Sequence, residues 1–136
     1  MKSTQELEHQ IRESGTAETL RDREFEPPAL TAHLDTLLRE RGMTVGDVIV
    51  ACNLDRSYGY QLFNGTRRPT RDFLLRLALW LHLSEGEAQR LLKLSGREPL
   101  YARNRRDATL LYALTHGLTA EDVGELLDSM DEDALL

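Results

Sequence analysis

Residues Gly42 to Pro69 read GMTVGDVIVACNLDRSYGYQLFNGTRRP, and this stretch decides the expected fold. It predicts two short helices joined by a tight turn. Thr44 can cap the first helix through its hydroxyl. Asp55 can cap the second, which runs to Asn64 and ends at Gly65. The first helix has one apolar stripe, formed at positions i, i+3, i+4 and i+7 by Val45, Val48, Ile49 and Cys52.

The second predicted helix carries one polar face that contains no carboxylate. Its members, at i, i+1, i+4, i+5 and i+8, are Arg56, Ser57, Tyr60, Gln61 and Asn64. Such a face is suited to the major groove of DNA, where Arg can bridge guanine edges and Asn or Gln can bridge adenine edges. These five residues are therefore the candidate base contacts. The alternative is a solvated face, or, for Tyr60, simple packing.

A basic loop follows this helix directly. Arg67, Arg68 and Arg71 are placed there to meet phosphates, which are the usual partners of Arg beside a base-reading helix. Thr44, at the amide end of the first short helix, is a fourth candidate phosphate contact.

The stretch from Leu30 to Leu83 resembles the lambda-repressor-like helix-turn-helix proteins of the Cro and xenobiotic-response-element type. The resemblance covers about 54 of the 136 residues and rests on Gly42-Met43-Thr44, Leu54-Asp55-Arg56-Ser57, Gly65-Thr66-Arg67-Arg68-Pro69-Thr70, and Leu74, Leu77 and Ala78. It implies sequence-specific binding of double-stranded DNA by a repressor-like transcriptional regulator of prokaryotic or phage type. The helix from Asp55 to Asn64 would read the major groove, and the protein would bind as a homodimer.

Two positions depart from the pattern of that family. Val45 stands where a Gln is common, and Gly59 stands where a branched aliphatic residue is usually buried. A glycine inside a helix costs roughly 0.5–1 kcal/mol relative to alanine. Gly59 therefore predicts a close approach of the two short helices.

The charge of the chain is unevenly distributed. The whole chain has a net charge of −6, but residues 30–83 contain seven basic and five acidic residues, a net of +2. The flanking segments have net charges of −3 and −5. Because local potential steers a phosphate backbone to its site, the overall acidity does not exclude DNA binding, although it weakens non-specific affinity.

The composition is typical of a globular protein, with 40% hydrophobic and 29% charged residues. The single cysteine, Cys52, excludes an internal disulfide and fits a reducing compartment. No apolar run approaches the roughly 18 residues of a membrane span, so we expect a cytoplasmic protein with no membrane contact. The chain has no paired catalytic carboxylates, no triad pattern and no metal-ligand spacing of histidines, so we expect neither an enzyme nor a bound cofactor or metal.

The predicted fold class is all-α, in three parts. Residues 1–29 form an N-terminal helical extension and linker, and residues 30–96 a five-helix lambda-repressor-like helix-turn-helix domain. Residues 97–136 form a C-terminal helical hairpin, packed on that domain, with an acidic tail. Thr31 should cap the first helix of the central domain, and the fourth, from Thr70 to His82, is apolar nearly all round and needs cover on more than one side.

The remaining helices have their own start signals. Ser84 with Glu87 forms a capping box, Asp107 should start the sixth helix, and Thr119 should cap the seventh. The dimer surface is expected within residues 84–130, and the acidic tail, DEDALL, is expected to be loose.

A second function stays open on the same sequence. The helix-turn-helix could be a protein-interaction module, or an antitoxin-like partner-binding subunit, that does not bind DNA. The acidity, Val45, Gly59 and the very apolar fourth helix favour this alternative. A possible protein partner therefore accompanies the expected DNA partner.

Overall fold

The computed structural model describes residues 4–6, 8 and 29–135, which are helical or irregular and contain no strand. Seven helices follow one another from Ala29: α1 Ala29–Glu40, α2 Val45–Ala51, α3 Arg56–Asn64, α4 Arg71–Trp80, α5 Glu85–Leu94, α6 Arg105–Thr115 and α7 Ala120–Ser129. The all-α prediction is confirmed for this part of the chain. Residues 4–6 and 8 are also helical, but most of the predicted N-terminal extension and linker lies outside the described residues.

Within the described residues, no helix has both the length and the apolar character needed to cross a membrane.

Local capping fixes most helix starts where the sequence predicts them. The hydroxyls of Thr44, Ser84 and Thr119 each accept a hydrogen bond from the amide three residues on, and the carboxylate of that third residue accepts one in return. Asp55 caps α3, and Gly65 ends that helix in the left-handed conformation at φ +85°. These predictions are confirmed because each capping interaction is complete within four residues.

Two predicted starts are wrong, the first by three residues and the second by two. Helix α1 already begins at Ala29, so Thr31 lies inside its first turn and does not cap it. Helix α6 begins at Arg105 because the Asn104 side chain caps it, accepting a hydrogen bond from the Asp107 amide at 2.9 Å. Asp107 is thereby placed at the third helical position, with its side chain turned into the protein.

Helix α4 is the centre of the packing. Six of its ten residues are buried: Phe73, Leu74, Leu75, Leu77, Ala78 and Leu79. Helices α5, α6 and α7 all pack against it, while α1 contacts α3 and α5. The predicted need for cover is confirmed, and that cover comes from α5 and the α6–α7 hairpin.

The acidic tail is not loose as far as Leu135, so that prediction is wrong. Leu135 is only 8% exposed and belongs to the main hydrophobic cluster. It faces a small cavity of about 140 Å³ that is also lined by Tyr58 and Phe73. The Arg106 guanidinium donates to the carbonyl oxygens of Asp133 and Ala134, which holds the tail against the body.

Gly59 is the contact point between α2 and α3. It is buried, and a Cβ built on it would lie 2.4 Å from Ile49 Cγ1 and 2.8 Å from Ile49 Cδ1. No side chain larger than hydrogen fits at this separation unless Ile49 moves. The predicted close approach is confirmed, and it sets the distance between the two helices.

Candidate nucleic-acid interface

The structure brings the five predicted base-contacting residues together on one side of α3. Leu62, on the opposite side, is 1% exposed and anchors the helix in the core. Arg56, Ser57 and Asn64 are exposed, Tyr60 is 44% exposed and Gln61 is half-buried. The tail packs near Tyr58 and leaves this side open. We call the five residues Arg56, Ser57, Tyr60, Gln61 and Asn64 the α3 face.

Contacts within the α3 face and with the next loop restrict several of these side chains. The Arg56 guanidinium lies over the Tyr60 ring, with 5.7 Å between its central carbon and the ring centroid. Gln61 Oε1 accepts a hydrogen bond from Arg67 Nε at 2.7 Å. Asn64 Oδ1 accepts one from the Thr66 amide at 2.9 Å. These bonds link the C-terminal half of the face to the loop.

The hydrogen bonds of Gln61 and Asn64 change the readout that their residue types suggested. A bidentate contact with adenine requires the amide oxygen as acceptor and the amide nitrogen as donor. In both residues the oxygen already has a partner inside the chain. Their NH₂ groups make no hydrogen bond to another described residue, so they suit acceptors such as guanine N7 and O6 or thymine O4, whereas adenine would have to share the amide oxygen with its internal partner.

Of the three loop arginines, only Arg67 is directed toward the α3 face. Besides its bond to Gln61, its guanidinium lies 5.9 Å from the Tyr58 ring centroid. Arg68 turns the other way and donates to the carbonyl oxygens of Ser95 and Gly96, at 3.1 and 2.9 Å. Arg68 is exposed along part of its length, but its guanidinium fastens the loop to the end of α5.

Arg71 is committed within the chain. Two of its nitrogens donate to the Asp107 carboxylate at 3.0 and 2.9 Å, and it also donates to the carbonyl oxygens of Glu98 and Pro99. Four of its five N–H donors are therefore engaged. In this conformation Arg71 holds α4, α6 and the segment between α5 and α6 together, and it is not displayed for a phosphate.

Thr44 is also occupied. Its backbone amide donates to Asp47 Oδ2 at 2.8 Å, and its hydroxyl accepts from the Asp47 amide at 3.1 Å. The carboxylate of Asp47 thus takes the anion position at the start of α2. A phosphate that approached Thr44 would meet this negative charge.

Sequence reasoning missed a crossed pair of ion pairs that joins α4 to α6. Arg71 binds Asp107, and Arg106 binds the neighbouring Asp72 through two hydrogen bonds of 2.9 and 3.1 Å. The sequence does contain a sign of these ion pairs, because an Arg-Asp dipeptide occurs at the start of both α4 and α6. The crossed pair fixes the α6–α7 hairpin relative to the end of the basic loop.

Asp107 is the most buried carboxylate of this group, with 7% of its surface exposed. Burial by itself would raise its pKa. The hydrogen bonds from the Arg71 guanidinium and the Tyr101 amide, together with the charges of Arg71 and Arg106, outweigh that effect and hold the pKa below its usual value. Asp107 is therefore a structural anion at neutral pH.

Comparisons of the chain with protein-family models, curated proteins and solved structures give no match. The described residues contain no group of three or more His, Cys, Asp or Glu side chains that could hold a metal ion.

Proposed function

We propose that this protein binds double-stranded DNA in a sequence-specific manner and regulates transcription in the cytoplasm as a repressor-like protein. The observation that carries the proposal is the α3 face, an open polar surface without a carboxylate that is backed by Arg67. A short helix with such a face matches the dimensions and the hydrogen-bonding groups of the major groove.

The arrangement around α3 supports a lambda-repressor-like reading of helices α1 to α5. Helix α2 crosses α3 in contact with Gly59, and α1 and α4 complete the core beneath it. In the proposed complex the α3 face meets the bases and Arg67 meets the phosphate next to them. Arg68 can add a contact, whereas Arg71 and Thr44 hold the loop and α2 in place.

A homodimer is part of the proposal. The outer side of the α6–α7 hairpin has an apolar groove of about 690 Å³, lined by Ala108, Tyr112, Leu126 and Met130 among others. Tyr112 is 51% exposed and Met130 is 37% exposed. Two copies joined through this region would present two α3 faces to half-sites roughly 34–36 Å apart.

The test is selection from a library of random-sequence duplexes at two salt concentrations. We expect enrichment of a sequence with two related half-sites. Arg56→Ala and Gln61→Ala should relax the preference at individual base pairs, each by about 1–3 kcal/mol. Arg103→Ala, which removes an exposed arginine outside the α3 face, is the matched control and should leave the selected sequence unchanged. Recovery of unenriched DNA by the unmodified protein would contradict the proposal.

A protein-interaction module, or an antitoxin-like subunit, is the second candidate. The internal commitments of Arg71 and Thr44 favour it, because they remove two expected phosphate contacts. On this account the α3 face would bind a protein partner. The same selection then yields no salt-dependent DNA binding, while the protein co-purifies from its host with a stoichiometric partner that Arg56→Ala releases.

A further inference from the structure

A second basic surface lies on α5 and the segment that follows it. Arg90, Lys93 and Arg97 line an open cleft of about 700 Å³ together with Gly86, Gln89 and Pro99. Three cations and no carboxylate therefore line the cleft in the part of the chain that the structure describes. We call this the α5 cleft.

The cations of the α5 cleft are available to a ligand. Arg90 and Lys93 are exposed, and their side chains make no hydrogen bond or ion pair with any other described residue. Arg97 is half-buried and directed by Pro69, whose carbonyl oxygen accepts hydrogen bonds from Arg97 Nε and Nη2 at 3.1 and 2.8 Å. Two exposed cations without a described partner thus precede one that the Pro69 carbonyl oxygen holds in place.

The α5 cleft is attached to the basic loop that follows α3. Arg97 reaches back to Pro69 of the loop, and Arg68 of the loop reaches forward to the Ser95 and Gly96 carbonyls. These reciprocal contacts place the two basic segments side by side. The α5 cleft thus adjoins the loop at Arg68 and Pro69, whereas Arg67 is directed toward the α3 face.

The spacing of the cations on α5 fits the spacing of a nucleic-acid backbone. Arg90 and Lys93 are three residues apart on α5, so they are roughly 4.5 Å apart along the helix axis at about 1.5 Å per residue. One DNA strand carries a phosphate about every 3.4 Å of helix axis. The two cations on α5 are therefore spaced to face about two successive phosphates.

We propose that the α5 cleft is a second phosphate-backbone site, which binds the duplex DNA that flanks the segment read by α3. This inference rests on the proposed DNA-binding function and adds to it a sequence-independent contact outside the reading helix. The α5 cleft would supply phosphate contacts in place of the two that Arg71 and Thr44 cannot make, because both are bonded within the chain.

The test compares Arg90→Ala/Lys93→Ala with the matched control Arg39→Ala/Arg103→Ala. Both double variants remove two exposed positive charges, so both lower the net charge equally; Arg39 also forms an exposed ion pair with Asp35, whose loss has little effect on stability. Fluorescence anisotropy with random-sequence duplexes of about 12 and about 30 bp, at sodium chloride concentrations from about 50 to 200 mM, gives log K against log salt.

The expected result is a weaker salt dependence for the cleft variant alone. Each lost phosphate contact lowers the slope by roughly 0.9, so the variant should lose about 1–2 units of slope on the longer duplex. Its affinity should fall about tenfold, and most of the advantage of the longer duplex should disappear. Thermal unfolding should give the same midpoint for both variants and the unmodified protein.

Two results would overturn the inference while leaving DNA binding intact. One is an equal slope for the cleft variant and the control. The other is a cleft variant that keeps its affinity for DNA but no longer binds poly-glutamate, when the unmodified protein binds it in the same assay. That result would assign the cleft to an acidic protein chain. If the unmodified protein binds neither duplex at any salt concentration, the proposed function fails as well.

Discussion

Replacing Gly59 with alanine should destabilise the protein, although alanine is the better helix former. The added Cβ would lie 2.4 Å from Ile49 Cγ1, a separation that the packed α2–α3 contact cannot accept without movement. Overpacking of this kind costs typically 1–3 kcal/mol. The gain in helix propensity is roughly 0.5–1 kcal/mol. We expect a net loss of about 1–2 kcal/mol in the free energy of unfolding.

Gly124→Ala is the matched control. Gly124 also lies inside a helix, but a Cβ there would meet no atom within 4 Å. Only the propensity effect remains, so the free energy of unfolding should rise by about 0.5–1 kcal/mol. Urea unfolding of both variants, followed by circular dichroism, measures the two opposite shifts. A stability of Gly59→Ala equal to or above that of the unmodified protein would refute the reasoning.

A second variant identifies the clash as the cause. Ile49→Ala removes the two atoms, Cγ1 and Cδ1, with which the new Cβ would clash. In the double variant Ile49→Ala/Gly59→Ala, the alanine at position 59 should therefore be neutral or stabilising. The double-mutant cycle should show a coupling energy of about 1–2 kcal/mol. Additive losses would place the cost of Gly59→Ala elsewhere.

Three further predictions concern other parts of the fold. Asp107→Asn should lower stability at neutral pH by about 2–3 kcal/mol, because it unpairs the largely buried Arg71. Because folding lowers the pKa of Asp107, the stabilisation that its carboxylate provides is fully present above about pH 4. It is lost as the pH falls through the pKa of Asp107 in the folded state. In urea titrations at several pH values, the free energy of unfolding of this variant should therefore fall less steeply at acidic pH than that of the unmodified protein. His82→Gly should stabilise by about 1 kcal/mol in thermal unfolding, because the exposed His82 has φ +53°. Leu135→Ala should cost about 2 kcal/mol in urea unfolding if the tail is part of the core, whereas no change would mean a loose tail.

The sequence predicted those features whose causes are local. The caps at Thr44, Ser84 and Thr119 depend on residues three positions apart, and the α3 face depends only on helical periodicity. The roles of Arg68 and Arg71 were not predictable in the same way. Their partners lie 27 to 36 positions further along the chain, so the type of residue gave no sign that they were already occupied.

The same distance in sequence explains the error at the tail. DEDALL looks like a solvated acidic end because three of its six residues are carboxylates. Arg106, itself held by Asp72 of α4, binds the tail backbone and allows Leu135 to reach the core. Local pattern therefore determined where the helices start, while long-range arginine contacts determined how they are tied together.

The internal use of arginine also determines how strongly this acidic protein can hold DNA. Arg67 together with the three cations of the α5 cleft gives about four phosphate contacts per copy. One copy should then show a salt slope of about −3.5, and a two-fold dimer on two half-sites about −7. A net charge of −6 per copy opposes non-specific binding at every salt concentration. Useful affinity consequently requires either two copies or good base contacts. The measured salt slope distinguishes these two cases. A slope near −7 on the selected sequence that falls to about half on a single half-site identifies the dimer as the unit that binds DNA.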